Sequence, residues 1–136
     1  MQASSELSKI IAAWFESAAK GDSSWADRHI SRKTETRLVG TDPKELLAGE
    51  QVAKFLKKDV EALGNVVKIS LGEPEAYQEG SVGWGLAHPT ITLPDGKQIT
   101  PRWSAVFHQE DGEWKMVQCH ASVGVTNEEL FGMEIG

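Results

Sequence analysis

The sequence contains one cysteine, Cys119, so no internal disulfide can form and a hydrophobic core must hold the fold together. No apolar run approaches the length of a membrane span, and no basic segment leads into an apolar one in the manner of a secretory leader. These absences, with the lone thiol, lead to the expectation of a cytoplasmic protein that does not bind membranes. Basic residues number 14 against 20 acidic ones, for a net charge of −6, and they nowhere cluster. That pattern argues against nucleic acid and anionic lipid as partners. Repeats, linkers and low-complexity tracts are also missing, so residues 1–136 read as one domain, long enough to bury a real core. The four histidines, His29, His88, His108 and His120, do not form a metal-ligand pattern. No helix carries His-x-x-x-His, and Cys119 and His120 point to opposite faces of a strand. Neither a metal nor a cofactor is expected.

What is present is clear patterning. Leu7, Ile10, Ile11, Trp14, Phe15 and Ala18 form one apolar stripe, predicting a helix from about Ser5 to Lys20 that stops at Gly21. A short second helix carries Trp25 and Ile30. Thr34 to Val39 reads as a strand. Asp42-Pro43-Lys44-Glu45 then has the form of a helix start, with a capping residue, Pro at the first helical position and Glu at the third. Val52, Phe55, Leu56, Val60 and Leu63 mark a second amphipathic helix, ended by Gly64. The remainder is β: Val66 to Leu71, Ser81 to Leu93 with Pro89 demanding an edge or bulge, Gln98 to His108, and Glu113 to Val125. Asn127-Glu128-Glu129 can open a short terminal helix. Helices first and antiparallel strands after predict an α+β fold, with the helices on the concave face of a curved sheet.

The last two strands permit two registers. A two-residue Asp111-Gly112 turn would pair Trp103 with His120 and mix apolar and polar residues on each face. A three-residue loop with Gly112 in the left-handed conformation shifts the pairing by one. Trp103, Ala105, Phe107, Val117, Cys119, Ala121 and Val123 then share one face, and Arg102, Ser104, His108, Gln118, His120 and Ser122 the other. The cleaner segregation selects the second register. It places Trp114 and Met116 on the polar face, a composition suited to protein contact.

The order of elements, together with Gly40-Thr41-Asp42-Pro43, Arg102-Trp103-Ser104-Ala105-Val106-Phe107-His108, Asp111-Gly112-Glu113-Trp114 and His120-Ala121-Ser122-Val123-Gly124, resembles SnoaL-like domains of the nuclear transport factor 2-like superfamily. The resemblance covers essentially the whole chain. It implies a cone-shaped cystatin-like fold, a homodimer, and a pocket between the helices and the concave sheet face. Set against ketosteroid isomerases, Trp14 stands where the resemblance would want a Tyr, and Asp42-Pro43 loosely matches the Asp-Pro of the general base. Set against the association domain of calcium/calmodulin-dependent kinase, Ala105 and Ala121 stand where pocket arginines would be, so its anion-binding pocket is not implied. A similar final segment in the domain attached to some nucleotide cyclases implies a sensory or dimerising role.

Candidate residues follow, each with two readings. Asp42 is a helix cap or a general base, and the roles are compatible. His120 and Ser122, with Arg102, Ser104 and Gln118 beside them, form a hydrogen-bonded polar patch at a dimer interface or an acid–base pair in a second pocket. Cys119 is a small core residue or, with no charged neighbour to activate it, a poor nucleophile. Trp14, Trp84 and Trp103 line a pocket or fill the core; the small Ala105, Cys119 and Ala121 favour a cavity. The leading expectation is a small-molecule binding or sensory domain with an apolar, aromatic-lined pocket for an apolar or aromatic ligand. The alternatives are an isomerase or lyase using Asp42 as base, and a structural dimerisation module.

Overall fold

The computed structural model describes residues 1–136. Its elements in order are β1 (Gln2–Ala3), α1 (Ser5–Lys20), α2 (Ser24–His29), β2 (Arg37–Val39), β3 (Leu46–Ala48), α3 (Glu50–Leu63), β4 (Lys68–Ser70), β5 (Glu75–Glu79), β6 (Val82–Ala87), β7 (Thr90–Thr92), β8 (Gln98–Ile99), β9 (Arg102–Glu110), β10 (Glu113–Ser122) and α4 (Asn127–Phe131). Seven strands form one sheet in the order β1-β5-β6-β9-β10-β2-β3, and β4-β7-β8 form a second. The fold is α+β, as the order of elements implies. The large sheet is mixed rather than wholly antiparallel, because β2 runs parallel to β10.

Helix α1 starts where the Ser4 hydroxyl accepts the Leu7 N–H at 3.2 Å, and it ends at Gly21 with φ 74°. Its stripe of Leu7, Ile11, Trp14, Phe15 and Ala18 is buried. The sheet makes room for this stripe with glycine: a Cβ at Gly83 or Gly85 would collide with the Leu7 or Ile11 side chain. Those two positions therefore face α1, and the intervening Trp84 points to the other face of the sheet.

Several sequence expectations need correction. Asp42-Pro43-Lys44-Glu45 does not open a helix. The Asp42 carboxylate accepts the Lys44 N–H at 2.8 Å and Glu45 Oε1 accepts the Asp42 N–H at 3.3 Å, but this reciprocal cap closes only a turn leading into β3. The apolar Leu46-Leu47-Ala48 then pairs with β2 instead of winding. Pro89 does not merely kink a strand: β6 and β7 lie on either side of it in different sheets. Pro101 likewise separates β8 from β9. Strand β5, Glu-Ala-Tyr-Gln-Glu, gave no apolar signal and forms by pairing with β1 and β6.

The β9–β10 register combines both options. The turn is the two-residue one, with Asp111 at φ 52° and Gly112 at φ 80°, as a type I′ hairpin requires. Glu110 pairs with Glu113 and Phe107 with Met116. A β-bulge at Val117 then shifts the ladder by one, so that Ala105 pairs with Cys119 and Trp103 with Ala121. The expected register therefore holds beyond the bulge and fails before it. Trp114 and Met116 are core residues, not outer-face residues, while Val117 is only partly buried. Ile30 bridges Met116 and is itself buried, which ties α2 to this end of the hairpin.

Candidate functional site

Between α1, α3 and the inner face of β9 and β10 lies a cavity of about 180 Å³. Helix α1 contributes Trp14, Phe15 and Ala18; α3 contributes Phe55, Leu56, Asp59 and Leu63; the sheet contributes Leu38, Trp103, Cys119 and Ala121. Ile69 and Ile91 of the small sheet close a further side, with Pro89 and Pro101 at the strand breaks. Twelve of the 18 lining residues are hydrophobic, and none carries a positive charge. A larger groove of about 520 Å³ runs along α1 past Lys9, Glu16, Lys20 and Glu73. Glu16 and Lys20 already pair in it at 2.8 Å, so the smaller, more apolar cavity is the better candidate site.

Trp103 is the fixed wall. Its ring meets Phe15 edge-on, with centroids 5.3 Å apart and planes at 72°. Its side chain lies beside the Cys119 thiol. Burial pushes the Cys119 thiol up to about 12, against a smaller opposing effect of Trp103, so the group remains a neutral thiol near pH 7. Trp14 stacks at a tilt on Trp25, 4.9 Å between centroids, and the Trp25 indole N–H donates to the Ile10 carbonyl at 2.9 Å.

The polar side of the cavity is acidic. Asp59, partly buried on α3, lies in it with Glu45 of the β2–β3 turn. Burial first, and the Glu45 carboxylate second, raise the Asp59 carboxyl to about 6. Neither acid has an ion-pair partner, whereas Lys57, two residues before Asp59, turns away to Asp27 at 2.8 Å. Gly40 provides the space for Glu45: a Cβ there would overlap its side chain.

The structure thus brings together Trp14, Trp103, Cys119 and Ala121 of the residues expected to line a pocket. Ala105 is buried beside Gly85, in the part of the sheet covered by α1, and does not reach the cavity. Trp84 lies on the outer face, its ring 5.0 Å from Tyr77 across β5 and β6. Asp42 is exposed and outside the cavity, occupied with its turn. The residue missed from the sequence is Asp59. It stands three and four residues after Leu56 and Phe55 and four before Leu63, inside the apolar stripe of α3, and a carboxyl there was the available signal.

Arg102, Ser104, Gln118, His120 and Ser122 all lie on the face away from the helices. Ser104 pairs with His120, Arg102 pairs with Ser122, and Arg102 Nη2 donates to Ser122 Oγ at 3.2 Å. Trp84 and Leu86 join them there, opposite Val106 and Ser104 on β9.

The sequence model of the SnoaL-like domain family matches residues 7–126. The chain belongs to that family. No curated protein matches the sequence significantly. Among solved structures, this SnoaL-like domain is similar to a nuclear transport factor 2-like protein from Pseudomonas putida KT2440, with 12% identity, TM-score 0.76, and coverage of 92% of this chain and 89% of the other. It is also similar to a nuclear transport factor 2-like superfamily protein from Salmonella enterica serovar Typhimurium, with 21% identity, TM-score 0.68, and coverage of 90% and 91%. The association domain of calcium/calmodulin-dependent kinase II from C. elegans is a third, with 16% identity, TM-score 0.66, and coverage of 87% and 93%. At these identities the similarity speaks to fold alone, and neighbours with a cystatin-like fold agree with it.

Proposed function

We propose that this SnoaL-like domain is a small-molecule binding or sensory module whose ligand, a small apolar or aromatic molecule, enters the cavity walled by Trp14, Trp103, Cys119 and Ala121. The supporting observation is a largely apolar cavity of about 180 Å³ reaching in between α1, α3 and the large sheet. An apolar void of about 150 Å³ is enough to hold benzene. The volume suits one ring with a short substituent, not a steroid-sized body. The domain self-associates through the outer face of the large sheet, where Trp84 and Leu86 give the Arg102, Ser104, Gln118, His120 and Ser122 patch an apolar centre.

Native mass spectrometry tests this reading, together with titration by toluene followed in the indole N–H resonance of Trp103. A dimer that carries extra mass, or a saturable toluene shift that Ala121→Leu removes by filling the void, supports it. A monomer, or a Trp103 resonance that toluene does not move, overturns the corresponding half.

A second reading is favoured by one group. Asp59, with its carboxyl raised to about 6, is suited to proton transfer near neutral pH, and it takes the general-base role that Asp42, outside the cavity, is poorly placed to fill. The walls offer no positive charge to stabilise an enolate, which leaves binding as the leading reading.

A further inference from the structure

The cavity has an imbalance that an apolar ligand would leave in place. Every wall is uncharged except at one side, where Asp59 of α3 and Glu45 of the β2–β3 turn approach each other. The groups facing Asp59 from α1 are Trp14, Phe15 and Ala18; from β9 and β10 they are Trp103, Ala121 and the neutral Cys119 thiol; from the small sheet, Ile69 and Ile91. No Lys, Arg or His lines the cavity. Several acids elsewhere do have a cation beside them: Asp27 has Arg32 and Lys57, Glu110 has Lys33, and Glu113 has Arg28. Two carboxyls gathered in an apolar, aromatic-walled site without a cation cost stability, and the missing partner is a positive charge.

We propose that the ligand is a small organic amine, its ammonium group held by Asp59 and Glu45 and its apolar body lodged against Trp103 and Phe15. This rests on the cavity being the binding site and adds the charge of the occupant. The two carboxylates supply charge-assisted hydrogen bonds to the ammonium. Aromatic walls favour the same charge. A cation also relieves the repulsion between the two acids, so binding and ionisation of Asp59 reinforce each other. A neutral carbonyl compound would do the reverse, since it needs Asp59 protonated to donate to its oxygen.

The experiment is calorimetric titration of the whole chain with benzylamine and its neutral isostere benzyl alcohol, each repeated at about pH 7.5 and about pH 5, on either side of the Asp59 transition. At the higher pH benzylamine is expected to bind at least about tenfold more tightly than benzyl alcohol. That preference shrinks at the lower pH, and Asp59→Asn removes it. Glu45→Gln, which keeps an acceptor for the Asp42 N–H, reduces the preference by less. Benzyl alcohol binding as tightly as benzylamine at the higher pH, a preference that survives Asp59→Asn, or benzylamine affinity that rises on acidification would each overturn the amine assignment while the pocket stands. Failure of both probes to bind would overturn the amine assignment and the cavity reading together.

Discussion

The inner and outer faces of the β9–β10 hairpin are built from alternate residues of the same two strands, yet they treat polarity in opposite ways. On the outer face Arg102, Ser104, His120 and Ser122 reach water or each other, and Arg102 donates to Ser122. On the inner face Trp103, Cys119 and Ala121 are apolar or neutral, and an acid that lines the cavity with them, Asp59, comes from α3 and has no ion-pair partner. An unpaired charge is cheap on the first face and expensive on the second. Polar residues on the outer face thus need no function to explain them, whereas Asp59 does.

The largest expected effect concerns which tryptophans belong to which face. Trp114 is 2% exposed and packed in the core, so Trp114→Ala should cost about 3–5 kcal/mol in denaturant unfolding. Trp84→Ala should cost clearly less, because its ring lies on the outer face against Tyr77. Equal losses would mean that the two-residue turn and the Val117 bulge do not set the faces as described. The outer face is probed next by Trp84→Lys and His120→Glu, each of which would bury charges against symmetry mates in a dimer. Both should raise the dimer dissociation constant at least about tenfold in sedimentation experiments. A dimer indifferent to both substitutions places its interface elsewhere.

The difference between the faces was only partly legible in the sequence. Alternation placed Trp103, Ala105, Cys119 and Ala121 inward and Arg102, Ser104, His120 and Ser122 outward, because a strand repeats every two residues. It failed for Trp114 and Met116, since nothing in Met116-Val117-Gln118 announces a bulge. Trp84 was misread for a different reason. It was grouped with Trp14 and Trp103 as an inward aromatic, but α1 packs so closely that only glycine fits inside at positions 83 and 85. Asp42 shows a local signal read correctly and given the wrong scale: the cap forms, but on a turn, because Leu46-Leu47-Ala48 pairs with β2. Asp59 is legible as a carboxyl inside the apolar stripe of α3, whereas the Asp-Pro resemblance points to Asp42.

A middle-sized effect sharpens the contrast in charge. Asp59 is raised to about 6 in the folded chain, above its ordinary value, so the folded state holds this proton more tightly than the unfolded one. Its unfavourable contribution is absent below the ordinary carboxylate range, grows as pH rises toward 6, and is constant above. Asp59→Asn should therefore stabilise the protein near neutrality by about 1 kcal/mol, allowing for solvent screening of a partly exposed group. The gain should vanish near pH 4. Thermal unfolding across that range checks the sign, and a gain independent of pH would assign it to packing rather than charge.

The smallest effect separates the two acids that the sequence offered for one role. Asp42→Ala removes the carboxylate that accepts the Lys44 N–H, so it should loosen the β2–β3 turn by about 0.5–1 kcal/mol. Because Asp42 lies outside the cavity, benzyl alcohol should bind the variant as it binds the parent chain. Glu45 is the link between the two sites, since it accepts the Asp42 N–H and also lines the cavity. A small change in benzylamine affinity alone would therefore mean that the turn holds Glu45 in place for the ligand. A loss of binding for both probes would return Asp42 to the site and undo the distinction between a capping acid and a cavity acid.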